Sequence, residues 1–427
     1  MTQRLRHGGI SRSLLLVGST EGLKGVVLLA TTAHIARIAG SATFGVIGFA
    51  QGLLTYFTFF GQFGLDMLGA RVVARDDDGS GQVGRILVLR GVTCLLAFVA
   101  MLGVAALIDA PSNTKLALVH FSLSVAATPF LVDWYFYGRQ QLGAQFLIKS
   151  TMQIVLLGTV FLCVREASEV LRYPVFFTLS IVVGAVLSFG LLLRQRRRAP
   201  IQWTFEGSGR ILGASIPLGA SLLLQQVLIS FGIIALGFLS TPKEVGLFTA
   251  AQKLTYGVFY QGSQLLNMSF YPLLSRLYAS NLNEFSRVLR IFRVMSALIG
   301  LGVGVGAFVL ARPIIHAIYT SGYEESVDCF RLLSVAVALS YLDGPLTFAM
   351  MATRYEGRAF VKACVTAIAT VVLGLVLIPR FGLMGAAIAS LISAGMGLLV
   401  TVYYFHASLS ATLARAKLTA PASSAGA

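Results

Sequence analysis

Long apolar runs recur from end to end of this chain, with only short polar breaks between them. A transmembrane helix needs about 20 consecutive apolar residues, because the hydrocarbon core is about 30 Å thick and a helix rises about 1.5 Å per residue. Runs of that kind fall at 13–36, 41–67, 85–109, 115–137, 144–164, 174–194, 210–239, 244–270, 288–311, 326–352, 359–378 and 384–406. Composition agrees: 56% of the 427 residues are hydrophobic and 12% are charged, where a soluble domain carries about a quarter charged residues. The remainder suffices for short loops and tails, and leaves no room for a folded catalytic domain outside the membrane. The expected fold is all-α and polytopic, with about twelve transmembrane helices. The basic start (Arg4, Arg6, Arg12) runs into an apolar stretch from Leu14 to Ile35. That stretch is too long for a signal core and no small-residue cleavage site closes it, so it reads as an uncleaved first span.

The positive-inside rule assigns the sides. With the N-terminal tail and alternate loops in the cytoplasm, 23 of the 33 Lys and Arg fall on that side. They include Arg71, Arg75, Arg85 and Arg90, then Arg139 and Lys149, and later Arg354, Arg358 and Lys362. Eight fall on the other side, and Lys24 and Lys253 lie within spans. An even number of spans then places both termini in the cytoplasm. The formal net charge of +16 is therefore loop charge facing the cytoplasm and its anionic head groups, not a nucleic-acid footprint. The run Arg194-Gln195-Arg196-Arg197-Arg198 reads as a stop-transfer flank. The four cysteines (Cys94, Cys163, Cys329, Cys364) are scattered in apolar segments with no CxxC spacing or His cluster, so no metal and no cofactor are expected.

The two halves resemble each other. At an offset of 201, Gly45, Ala50, Gln51 and Leu53 match Gly246, Ala251, Gln252 and Leu254; Gly61, Leu65, Met67 and Arg75 match Gly262, Leu266, Met268 and Arg276. Asp133 and Asp343 sit at similar depths in the fourth and tenth spans. Six spans return the chain to its starting side, so the halves share one orientation, a transporter architecture. The expectation is two pseudo-symmetric six-helix lobes around a central cavity, 1–200 and 201–427, the second with a short cytoplasmic tail.

The residues also carry a family resemblance. The stretch ARIAGSATFGVIGFAQGLLTYFTFFGQFGLDMLGARVVAR (36–75), SIPLGASLLL (215–224), EVGLFTAAQKL (244–254), YPLLSRLY (271–278) and LIPRFGLMGAAIASLIS (377–393) occur in order. In this the chain resembles the polysaccharide-transporter branch (Wzx-type O-antigen flippases) of the multidrug/oligosaccharidyl-lipid/polysaccharide exporter superfamily. VDWYFYGRQQ (132–141) departs from the family pattern, with Gln141 where an acid is common. The resemblance implies a flippase, not an enzyme, that moves undecaprenyl-diphosphate-linked oligosaccharide units across the bacterial inner membrane by alternating access. It implies membrane lipids, a polysaccharide polymerase and chain-length proteins as further partners.

Ionisable groups inside a membrane are costly and ask for a reason. Glu21 and Lys24 lie three residues apart on one face of the first span. They form either a self-neutralised pair or a site in which Lys24 meets the cargo diphosphate. Lys253 has no acid at helical spacing in its own span except Glu244 two turns or more away, so it faces a polar cavity or another helix. Arg37 and Arg71 flank spans and either guide an anionic head group or anchor at the interface. Glu21, Asp66, Asp133 and Asp343 are candidates for ion coupling; the aspartates equally suit capping, or pairing with Arg71, Arg139 or Arg354. His34 and His316 read as interfacial. The run Gly300-x-Gly302-x-Gly304-x-Gly306 reads as close helix packing, and Pro129, Pro217 and Pro345 as helix bends. The competing readings are a cation-coupled multidrug antiporter of the same superfamily, whose cavity would be acidic, and a membrane-embedded polymerase or ligase, for which the outer loop at 312–325 is too short.

Overall fold

The computed structural model describes residues 7–75, 80–196, 201–353 and 355–410. Arg4, Arg6, Arg197, Arg198 and Arg354, which bear on the topology, lie outside them, as do Arg415 and Lys417 of the C-terminal tail. Among the described residues the regular structure is entirely helical. The helices are α1 (His7–Gln62), α2 (Leu65–Arg75), α3 (Ser80–Leu107), α4 (Ser112–Ala127), α5 (Asp133–Gly138), α6 (Leu142–Cys163), α7 (Tyr173–Gln195), α8 (Ser208–Leu239), α9 (Pro242–Leu254), α10 (Tyr260–Ser280), α11 (Leu282–Val309), α12 (Ala311–Ile318), α13 (Ser326–Met351) and α14 (Glu356–Tyr404).

Nine stretches among the described residues are long and apolar enough to cross a membrane. Two of them, Gly18–Gln62 and Gly357–Ala407, run to 45 and 51 residues, about twice what one crossing needs. Each is two helices joined at a glycine with a positive φ, Gly40 at 69° and Gly382 at 52°, a conformation that side chains with a Cβ rarely adopt. Splitting both, and adding the continuous α9–α10 stretch from Pro242 to Ser280, yields the twelve crossings expected. Lipid is the only solvent that suits the surface. Leu95, Leu96 and Val99 of α3 and Leu298, Leu301 and Val305 of α11 are all exposed.

The chain divides into two compact units, Met1–Gln226 with Thr241–Gly246, and Val227–Ser240 with Leu247–Ala427. Compactness thus assigns the first half of α8 to the first unit, whereas the repeat places its boundary near residue 200. In the first unit, Leu65, Val83, Ile86, Trp134, Phe136, Ile148 and Leu192 form a buried cluster. The aromatic run of VDWYFYGRQQ is core: Trp134, Tyr135 and Phe136 are buried, and a Cβ on Gly69 would strike the Trp134 ring. The repeat glycines approach each other closely. A Cβ on Gly45 would strike the carbonyl oxygen of Pro242, and one on Gly246 that of Ser41. Ser41 and Pro242 are themselves 201 apart, so the repeat packs against its own copy through backbone.

In the second unit, Leu274, Phe285, Leu289, Phe292, Leu346 and Ala349 form the buried cluster. α11 packs on α13 through Gly300 and Gly304, where a Cβ would meet Tyr341 and Ala338, while Gly302 and Gly306 face open space. The four-residue spacing puts both packing glycines on one helix face. Ser296 on the same face donates to the Tyr341 carbonyl at 2.7 Å.

Candidate functional site

The site is built around a broken helix. The fourth span ends as an α-helix at Ala127, tightens into a 3₁₀ turn at Thr128–Phe130 around Pro129, and resumes as α5 at Asp133. A break inside a membrane frees backbone groups that lipid cannot satisfy. Here other side chains satisfy them. Arg90 of α3, whose side chain is wholly buried, donates from Nη1 to the Leu131 carbonyl at 3.0 Å and from Nη2 to the Thr128 carbonyl at 3.1 Å. Ser188 of α7 accepts from the Val132 N–H and donates to the Phe130 carbonyl, both at 3.1 Å. Arg90 Nε also lies 3.1 Å from Asp66 Oδ1. A planar fork with five donors suits this bridging; a lysine could not reach all three groups in those directions.

The three candidate coupling aspartates share one arrangement. Each is ion-paired to a cation on the next α-helix in the chain. Asp66 of α2 pairs with Arg90 of α3 at 3.1 Å, Asp133 of α5 with Lys149 of α6 at 3.7 Å, and Asp343 of α13 with Lys362 of α14 at 2.6 Å. In the last pair both side chains are 16% exposed, and Thr347 donates to Asp343 at 3.2 Å. Sequence reasoning assigned Arg90, Lys149 and Lys362 to loops. The signal against that was present, since all three fall inside the apolar intervals 85–109, 144–164 and 359–378.

Beside Asp133 the first unit opens a cavity of about 160 Å³. Thr20, Leu23 and Lys24 of α1 line it, with Leu131, Asp133, and Ile148, Lys149, Met152 and Gln153 of α6. The structure therefore brings Lys24 and Asp133 together and adds Lys149, which sequence reasoning missed as a site residue. The side chain of Glu21 lies outside those described. Arg37, three residues before the Gly40 kink, and Arg71 on α2 are both exposed. Lys253, in the second unit, is half-buried in the last turn of α9, immediately before a π-helical turn at Thr255–Phe259. Such turns are widened single-turn insertions found often at functional sites.

His34 Nε2 bonds the Val164 carbonyl at 2.8 Å and its ring stacks on Phe161, tying α1 to the end of α6. In the segment between α11 and α13 of the second unit Glu324 pairs with Arg312 at 3.1 Å and with His316. Burial there pushes the Tyr319 and Tyr323 hydroxyls above the usual tyrosine range. The four cysteines are free thiols. Two ammonium groups and one carboxylate around a cavity can hold and exchange an oxyanion. The cavity lining includes no Ser, Cys or His nucleophile.

Comparison with known proteins supplies the context. The sequence pattern of a family described as "Polysaccharide biosynthesis protein" matches residues 34–328. A putative O-antigen transporter of Escherichia coli (strain K12) is 22% identical over 370 residues, covering 84% of this chain and 87% of that protein. Among solved structures, the lipid II flippase MurJ in an inward closed conformation superposes with a TM-score of 0.72 at 15% identity, over 92% of this chain and 87% of that one. An inward-facing multidrug resistance MATE family transporter of the MOP superfamily superposes with a TM-score of 0.66 at 15% identity, over 91% and 94%. At those identities the structural likeness establishes the fold.

Proposed function

The chain belongs to the polysaccharide biosynthesis protein family, and from that premise we propose that it is a flippase for polyprenyl-diphosphate-linked oligosaccharides. It carries these units across the bacterial inner membrane, from the cytoplasmic to the periplasmic leaflet, for assembly of a surface polysaccharide such as O-antigen, capsule or exopolysaccharide. The observation that carries the reading is a cavity lined by Lys24, Lys149 and Asp133 in a unit whose outer surface is apolar. A glycan hydroxyl stripped of water costs several kcal/mol if left unpaired, so the head group needs a polar path, while the lipid tail stays in the bilayer. A diphosphate adds charge, which lysines compensate. No covalent bond is made or broken. Binding and release from alternate sides do the work.

The excess of Lys and Arg on alternate loops supports an orientation with both termini in the cytoplasm. Lys253, in the second copy of the repeat, is a further candidate contact for a diphosphate, and Arg37 and Arg71 for its approach. The second reading, a cation-coupled multidrug antiporter, draws on the MATE-like fold. Two lysines in the cavity disfavour a cationic drug by like-charge repulsion.

Deletion of the gene in its host is the test. The lipid-linked oligosaccharide should accumulate and surface polysaccharide should fall, both restored by a plasmid copy. An unchanged precursor pool and unchanged surface polysaccharide, with altered resistance to cationic drugs, would favour the antiporter.

A further inference from the structure

The α9–α10 stretch carries the second copy of the repeat, and at its middle the two copies bear different chemistry at positions turned the same way. Gly61 and Gly262 fix the comparison. They are identical at the offset of 201, and each faces the interior of its own unit: a Cβ would strike Cys94 in the first and the Tyr341 hydroxyl in the second. The residue just before each glycine is exposed, Phe60 in one copy and Gln261 in the other. Where the first copy has Phe59 and Phe60, the second has Tyr260 and Gln261. One turn further on, Gln264 donates from Nε2 to the Tyr260 hydroxyl at 2.8 Å. The Tyr256 and Tyr260 rings lie 5.6 Å apart. The π-helical turn at Thr255–Phe259 ends immediately before this group, and the Tyr341 hydroxyl of α13 donates to its Phe259 carbonyl at 2.9 Å. The widened turn is thus held from within the unit.

We propose that Tyr260, Gln261 and Gln264 form a sugar-reading subsite of the second unit, which selects the cargo by the hydroxyls of its glycan. Gln261 lies nine residues inside the nearer end of the apolar interval 244–270, about 13 Å along the helix. An amide exposed to hydrocarbon at that depth would lose its water and gain no partner, which is costly, so the face it stands on is wet. Gln261 and Gln264 are three residues apart and share that face. A primary amide presents two donors and an acceptor in one plane, which suits a pair of neighbouring ring hydroxyls. A tyrosine ring presents an apolar surface to the C–H face of a pyranose and a hydroxyl at its edge. The phenylalanines of the first copy offer only the apolar contact. A site built to hydrogen-bond a hydroxyl rejects an analogue that lacks it, so the substitution gives the second copy a selectivity that the first lacks. None of the three residues is a cation, so the subsite reads the glycan and not its diphosphate.

This assignment deepens the flippase reading and rests on it for the presence of a glycan, but its test does not require transport. Purified full-length protein in detergent is titrated with undecaprenyl diphosphate and, separately, with the lipid-linked oligosaccharide extracted from the host, and bound lipid is read by native mass spectrometry. Wild type should bind the glycan-bearing lipid about tenfold more tightly than the bare one, or better. The Gln261→Leu, Gln264→Leu double variant should cut that preference about tenfold, the loss of one or two hydrogen bonds. Tyr260→Phe, which restores the residue of the first copy, should cut it by less. The bare lipid serves as the control for fold, because the preference is a ratio. A wild type that binds the two lipids equally, or a double variant that keeps the full preference, would overturn the proposal and leave the flippase reading standing. Equal losses for both lipids, the mark of a structural role, would overturn it as well. Failure of wild type to bind either lipid would overturn it together with the flippase reading.

Discussion

Arg90 shows how much a single side chain can hold together in this protein. It is wholly buried, it caps the carbonyls of Thr128 and Leu131 at the helix break, and it neutralises Asp66. Removing Arg90 leaves a half-buried carboxylate and two carbonyls without donors, a loss of about 2–4 kcal/mol. Arg90→Met should therefore lower the unfolding midpoint in detergent by many degrees, while the Arg90→Met, Asp66→Leu double variant should recover part of the loss. Additive losses in that pair would contradict the coupling. The partners of Asp66, Asp133 and Asp343 were not legible in the sequence, because an ion pair between successive helices depends on rotation about each helix axis. Span intervals fix only depth, to within a few residues. What was legible was the anomaly: Arg90, Lys149 and Lys362 each fall inside an apolar interval, which by the cost of charge in a membrane already asked for a counter-ion.

At the scale of elements, glycine and proline decide the geometry. The α11–α13 packing uses Gly300 and Gly304 and leaves Gly302 in open space, so the face can be tested against its own neighbour. Gly304→Leu should destabilise by about 1–3 kcal/mol through overpacking, and Gly302→Leu should be neutral or slightly stabilising through helix propensity. Equal effects of the two on thermal unfolding would contradict the packing. Most of this level was readable in advance, since glycine spacing and apolar length are local signals. The fourth span shows the limit. Pro129 announced a bend, but not that the helix would stop, that Asp133 would begin a new one, or that Arg90 and Ser188 would take over the freed backbone. Those outcomes depend on side chains 38 to 58 residues away.

At the scale of the molecule, the repeat at offset 201 was visible in eight identities, and the structure gives it a physical meaning where Gly45 and Gly246 meet backbone to backbone. Twelve crossings followed from the apolar runs once the two long helices are divided at Gly40 and Gly382. The function is the transfer of a charged, hydrated head group past a hydrocarbon barrier, and it is tested most directly by rebuilding that barrier. The purified protein is reconstituted into liposomes containing a polyprenyl-diphosphate-linked oligosaccharide, and the fraction of glycan reached by an impermeant lectin or glycosidase is followed in time. Movement of the inner-leaflet pool to the accessible leaflet, fast with wild type and slowed by Lys24→Ala or Lys253→Ala, is the predicted result. An accessible fraction that stays at the value of protein-free liposomes, with correctly folded and inserted protein, would contradict the account.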